Sequence, residues 1–446
     1  MKKPAVVLLS LLLVIIIHMN FRRDKTAQNQ SQMKTEASDL KPLQKDRSVS
    51  EIPVKVQSML ISQLGSEHFG NAVFRRGLKG PRIAASGNRI LEFEIKESSP
   101  VTEVVPVTSE NYTNGACALD VNNDGTDEII VGRAGKTEGT DLLWFQEISG
   151  KPVWKENLIA NVKSQKGDSE KGFHDIKPFK AKINEVIVNG VVAVTSRKRI
   201  TWYQVPGNPS EPWKEYRIAD LASHGADHAQ SGLVLGDIAG HGRQDIVCGN
   251  YWLECPQDPS KEPWKVYRYS NWDNRTTPMF PGMPAWVGNE RFGGMNQLDL
   301  GDMDGDGIPE IIATDAEIPD ARLGIFKRNA DSLSGLWKET IIDTSLYCPH
   351  NLIVVDVNKD NRPDILTGEM TAGGWMFPRT QSPGLYLYLN LGNMKFQKSI
   401  LHEGLGIHMM SLAPGLFKDK VFIFAADEIQ KWYDDMKTHL VGWTIQ

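Results

Sequence analysis

The sequence predicts an all-β protein, a seven-bladed β-propeller, on three observations. An Asp-rich loop recurs along the chain, a polar landmark precedes it at a near-constant period, and pairs of large aromatics recur in the outer part of that period. The clearest loop is Asp302-Met-Asp304-Gly-Asp306-Gly-Ile-Pro-Glu310, with carboxylates at relative positions 1, 3, 5 and 9 and a glycine at 6. Hard cations take six to eight oxygen ligands, which alternating carboxylates on a tight turn supply. An EF-hand would need its bidentate Glu at position 12, here Ala313, and the following Ile311 to Ala313 read as strand. The loop is therefore expected to join two strands and to bind calcium.

Two further copies follow the same spacing: Asp120, Asn122, Asp124 and Glu128, then Asp356, Asn358, Asp360 and Asp364. A fourth, Asp237 to Asp245, is worn, with Ala239 and His241 replacing two ligands. Three structural calcium sites are expected, with a weak or absent one at Asp237.

The period follows from a second landmark. Asn114, Ser231, Asn296 and His350 stand six residues before the first Asp of each loop, and His174 and His408 are their equivalents where the loop is missing. Successive intervals are 60, 57, 65, 54 and 58 residues, the length of one four-stranded blade with generous loops. Trp144 with Trp154, Trp202 with Trp213, Trp252 with Trp264, Phe326 with Trp337, and Tyr388 with Phe396 recur in the outer strands. Large aromatics at repeated offsets suit packing between neighbouring blades. Residues 56–110 supply the first blade and share strands with the C-terminus to close the ring.

Ahead of the propeller (56–446), residues 1–20 read as a signal peptide or signal anchor. Lys2 and Lys3 precede an apolar run from Ala5 to Ile17, short for a bilayer span. No small-x-small cleavage site follows directly, so both a cleaved signal and an uncleaved membrane anchor stay open. Residues 21–55 are a polar, flexible linker. The chain is expected to be exported (secreted, periplasmic or envelope-anchored) and monomeric. With 24% charged residues, a net charge of −5 and no basic stripe, nucleic acid is not an expected partner. Cys117, Cys248, Cys255 and Cys348 allow up to two disulfides or buried free thiols.

The DxDxDGxxD loops between strands resemble the FG-GAP/VCBS repeat of integrin-α-like propellers. More narrowly, His350-Asn-Leu-Ile-Val-Val-Asp356, Gly249-Asn-Tyr-Trp-Leu-Glu-Cys-Pro256 and the Trp-Lys strands resemble secreted propellers related to the catalytic propeller of aldos-2-ulose dehydratase. The rhamnogalacturonan lyase propellers are a more distant comparison. These resemblances imply a carbohydrate ligand or substrate and carbon–oxygen lyase chemistry.

Nineteen residues after each landmark stands a second: Asn114 with Arg133, Ser231 with Asn250, Asn296 with Asp315, His350 with Glu369, and His408 with Asp427. If the acidic loop is the hairpin turn, these pairs collect at the opposite mouth of the channel. His174, His350 and His408 with Glu369 and Asp427 suit a transition metal such as Zn²⁺ or Mn²⁺. Elimination from a sugar needs a base, a His here, and a cation or Arg133 or Arg197 to hold enolate-like charge. His228 would cap the same mouth, and Trp272 and Trp286, in the long 272–292 segment, are candidates for stacking on sugar. The competing class is a non-enzymatic propeller that binds a glycan or protein. The metalloenzyme requires at least two of the three histidines around one cation, and the binding module requires an exposed aromatic surface around Trp272 and Trp286. No nucleophile elbow, P-loop or dinucleotide fingerprint occurs in the strand–helix setting those chemistries need.

Overall fold

The computed structural model describes residues 54–446 apart from 66–68, 97–98, 107–111, 135–138, 149–153, 164, 166–171, 227–228, 273–294, 316–317, 319, 330–332, 371–381 and 427–437. The export segment, most of the linker, His228, Trp286 and Asp427 therefore lie outside the described residues. The described residues belong to one compact unit.

Among the described residues the strands make seven four-stranded antiparallel sheets, each a blade. Blades 1 to 6 begin with inner strands Phe69–Gly77, Tyr112–Leu119, Phe173–Ile183, Leu233–Gly236, Met295–Gly301 and Ile353–Val355, and add three strands outward in sequence order. Blade 7 runs from Met409–Leu412 through Val421–Ala426 and Thr438–Ile445, and its outermost strand is Val56–Gly65 from the other end of the chain. That strand pairs with the C-terminal one from Val56 opposite Ile445 to Gly65 opposite Thr438. Each inner strand lies against the inner strands of both neighbouring blades, which closes the ring. The chain is a seven-bladed β-propeller.

The hydrophobic residues pack between blades. Cys117, Ile130 and Trp144 of blade 2 share a core with Phe173, Tyr203 and Trp213 of blade 3. Trp252 of blade 4 lies 5.9 Å from Trp337 of blade 5, and Phe179 of blade 3 lies 6.0 Å from Trp264 of blade 4. The recurring aromatics thus do what their spacing suggests. All four cysteines are buried free thiols, and burial pushes the Cys117 and Cys255 thiols up to about 12. One polar brace stands out at the joint of blades 1 and 2. The guanidinium of fully buried Arg75 meets Glu92 at 2.6 Å, Glu147, and the Asp127 carbonyl, and lies over the Trp154 ring.

Register fixes the two ends of the blades. In blades 2, 4, 5 and 6 the acidic loop is the turn between the first two strands, because Leu119 pairs with Glu128, Gly236 with Asp245, Gly301 with Glu310 and Val355 with Asp364. The landmark residues lie at the far ends of those hairpins, as Tyr112 opposite Arg133 and Pro349 opposite Glu369 show.

Candidate functional site

The acidic loops share one backbone frame. The first Asp accepts the amide N–H groups of positions 5 and 6: Asp120 from Asp124 and Gly125, Asp302 from Asp306 and Gly307, Asp356 from Asp360 and Asn361. Position 6 is left-handed, with φ of 86° at Gly125 and Gly307, so glycine or the tolerant Asn361 stands there. The buried ninth residue accepts the position 2 amide, at 2.9 Å for Glu128, 2.8 Å for Glu310 and 3.0 Å for Asp364. Burial, reinforced by neighbouring loop carboxylates, pushes Glu128 and Glu310 up to about 7 and Asp364 up to about 6.

These donors fit a hard cation. Carboxylate oxygens of Asp302, Asp304 and Glu310 lie within 4.8 Å of one another. The Lys327 ammonium already sits among them, bonded to Asp304 and to Asp306 at 2.7 Å, and 3.6 Å from Glu310. In the first loop the Asn122 amide nitrogen faces Asp124 at 2.9 Å and Glu128 at 3.3 Å, and in the third Asn358 faces Asp360 at 3.0 Å. Positive or N–H groups thus stand where the carboxylates converge.

At the opposite end, the three histidines do not assemble. His350 and His408, on adjacent blades 6 and 7, stack with ring centroids 4.5 Å apart and planes 22° from parallel. The His350 Nδ1 is 3.2 Å from the His408 carbonyl. His174 belongs to blade 3, separated from that stack by two intervening blades on either side of the ring. Among the described residues, clusters of three or more His, Cys, Asp or Glu within reach of one ion occur only in acidic loops. The expected set of His174, His350, His408 and Glu369 therefore does not form a metal centre. The cause is ring geometry, because equivalent positions in distant blades face one channel without touching.

The second landmarks turn out to be braces. Glu369, 1% exposed, accepts the Tyr347 and Gly384 amides at 2.9 and 3.1 Å and the Tyr386 hydroxyl at 3.1 Å. Arg133 is answered within blade 2 by Asp141 at 3.2 Å and Glu156 at 2.8 Å. Asn250 bonds Gln230 and the Trp272 amide, and Asp315 takes the Arg322 guanidinium through both oxygens. Apolar strands end in these residues because the blade corners carry backbone N–H groups and guanidiniums that need acceptors.

Trp272 is not a sugar platform. It is 2% exposed, packs edge-on against Phe326, lies under the Arg322 guanidinium, and donates Nε1–H to Glu339 at 2.8 Å. It locks blade 4 to blade 5. Trp272→Ala is expected to cost about 3–5 kcal/mol of stability, read as a lower denaturation midpoint.

What the mouth does present is a histidine–aspartate pair. Blade 3 starts with a register shift between Phe173 and Asp175, and there His174 Nδ1 lies 2.6 Å from Asp175 Oδ2. Burial alone would raise the Asp175 carboxyl, but His174, Lys177 and Arg197 together hold it below the usual carboxylate range. Arg197 sits in the next hairpin turn of the same blade, where Ser196 and Arg197 are both left-handed, at φ of 54° and 51°. Asp299, on the inner strand of blade 5, accepts the Val354 amide at 2.7 Å, and burial pushes it up to about 6 against the pull of Lys177. Sequence reasoning missed Asp175, Lys177 and Asp299. The available signals were the adjacent Phe-His-Asp and the lone carboxylate in Gln297-Leu-Asp-Leu300.

No protein-family model matches the chain, and no curated protein matches it.

Proposed function

We propose that this chain is an exported, calcium-binding propeller of the FG-GAP/VCBS type that acts on carbohydrate by base-driven elimination at the channel mouth. The observation that carries this reading is the 2.6 Å His174–Asp175 pair in the company of Lys177 and Arg197. A carboxylate that accepts a hydrogen bond from Nδ1–H orients the ring and leaves Nε2 to remove a proton. Arg197 and Lys177 supply the positive charge that an enolate-like intermediate needs as the carbon α to a uronate carboxyl loses its proton. The leaving sugar oxygen then departs with a proton from protonated His174 or from water as the carbon–carbon double bond forms. Arg197 takes the charge-stabilising role expected of Arg133, whose charge is spent on Asp141 and Glu156. Calcium would be held by Asp120, Asn122, Asp124 and Glu128, by Asp302, Asp304, Asp306 and Glu310, and by Asp356, Asn358, Asp360 and Asp364. It would serve there as a structural pin for the hairpins.

The test is a screen of uronate-containing oligosaccharides with the purified chain, following the ultraviolet absorbance of an unsaturated product. His174→Gln is expected to lower turnover about 10²–10⁴-fold, the usual worth of a general base, with an unchanged melting curve. Saccharide binding without product, equal in wild type and His174→Gln, would move the assignment to a non-enzymatic glycan-binding propeller.

A further inference from the structure

The loop from Asp237 to Asp245 reads as a decayed copy, yet its frame is intact. Asp237 accepts the His241 and Gly242 amides at 2.8 and 2.7 Å, and Gly242 is left-handed at φ 79°. Asp245, fully buried, accepts the Ile238, Ala239 and Cys255 amides at 2.9, 2.8 and 2.8 Å. The His241, Gly242 and Ile238 contacts are the ones that the three carboxylate loops share.

The substitution at position 5 is equally conservative in geometry. In the other loops one oxygen of the position 5 Asp accepts the position 7 amide: Asp124 from Thr126 at 2.8 Å, Asp306 from Ile308 at 2.9 Å, Asp360 from Arg362 at 2.9 Å. Here the His241 Nδ1 takes the Arg243 amide at 3.2 Å. The imidazole lies across the loop's interior, with Nδ1 3.3 Å from Asp237 Oδ1 and Nε2 3.3 Å from Asp245 Oδ1. Nε2 is buried and makes no hydrogen bond. A polar ring nitrogen placed against a buried carboxylate without a hydrogen bond is costly unless something bridges the two. Asp237, His241 and Asp245 offer one ligand atom each within 4.8 Å of one another.

We propose that Asp237, His241 and Asp245 form a divalent-metal site of a different class from the other loops, one that takes a late first-row ion such as Zn²⁺ in preference to Ca²⁺. Two arguments set the preference. Ala239 removes the position 3 oxygen, so the loop falls short of the six to eight oxygens calcium wants. One imidazole nitrogen with two carboxylate oxygens is a donor set suited to zinc, cobalt or nickel, which accept low coordination numbers and bind nitrogen well. The two carboxylates match the ion's charge, whereas the loop at Asp302 carries four. When an ion is bound, the imidazole coordinates through one nitrogen only, and the other carries the proton and donates it to a carboxylate of Asp237 or Asp245.

The test uses the purified full-length chain held in excess calcium and titrated with Zn²⁺ by calorimetry, and with Co²⁺ by visible absorption, which reports nitrogen ligation. One equivalent is expected. His241→Ala should weaken it by more than about tenfold, the loss already found when partners of metal ligands, rather than ligands themselves, are removed. Ala239→Asp combined with His241→Asp, which restores both missing oxygens, should exchange the zinc preference for an additional calcium equivalent, and unchanged melting curves would show that the variants fold. Absence of zinc uptake under calcium, or uptake unaffected by His241→Ala, would overturn the proposal. The first outcome would leave the His241 ring as the loop's own substitute for a cation, and the second would place the zinc at other residues.

Discussion

Chelating calcium should lower the melting temperature by several degrees at pH 8 and scarcely at all at pH 5. The reason lies in the ninth residue of each acidic loop. Burial first, and then the neighbouring loop carboxylates, hold Glu128 and Glu310 at about 7 and Asp364 at about 6 in the folded, metal-free chain. A carboxyl whose folded pKa is raised contributes stability that is fully present below its unfolded pKa and is lost as pH rises through the folded one. Shifts of this size correspond to roughly 3 kcal/mol per group. Without calcium, stability should therefore fall between about pH 4 and pH 7. Calcium bound at the ionised loops, as proposed, would displace those protons and reverse the loss by mass action. Asp306→Ala should abolish one calcium equivalent and a share of the pH 8 stabilisation. Equal melting with and without chelator at both pH values would show that these loops are pinned by their backbone frame, with Lys327 added in the loop at Asp302.

Arg75→Ala should destabilise the propeller by about 3–5 kcal/mol, the usual result of removing one partner of a buried ion pair. Arg75 and Glu92 are 0% and 1% exposed, and their contact at 2.6 Å lies within the same arrangement that engages Glu147 and the Asp127 carbonyl of blade 2. Burial already raises the Glu92 carboxyl, and Arg75 works against that rise. Without the guanidinium the carboxylate is left buried and unpaired, so the variant should lose most stability at neutral pH and recover part of it in acid as Glu92 takes a proton. Adding Glu92→Gln should restore part of the loss at pH 7. A cost under about 1 kcal/mol, typical of an exposed pair, would mean that this brace does not hold blades 1 and 2 together.

Much of the fold was legible because propellers repeat. Landmark spacing gave the blade length, and the aromatics of the outer strands named the packing between blades. Strand sharing at closure also followed, since residues 56–65 have no other sheet to join. The site was less legible for a physical reason. Equivalent positions in a ring share an environment without sharing a neighbourhood, so His174, His350 and His408 look alike in sequence yet two stack together and the third pairs with Asp175. Polar residues at strand ends were also ambiguous. Glu369, Arg133 and Asp315 are spent on amides, a hydroxyl and ion pairs at the blade corners. Trp272 reads as a loop aromatic, but only the three-dimensional packing shows its ring closed in by Phe326, Arg322 and Glu339. Asp175 and Lys177 were passed over because single charges in a strand carry no periodic signal.

The proposed function divides the blades' two ends between cation loops and a carbohydrate site. Hydrogen–deuterium exchange of the calcium-loaded chain, with and without a saturating uronate oligosaccharide, tests it most directly. Slowed exchange should appear at residues 173–177 and 196–198, and His174→Gln combined with Arg197→Ala should weaken it. Protection confined to the loops at 120–128, 302–310 and 356–364, or no protection from any saccharide in the screen, would contradict the account.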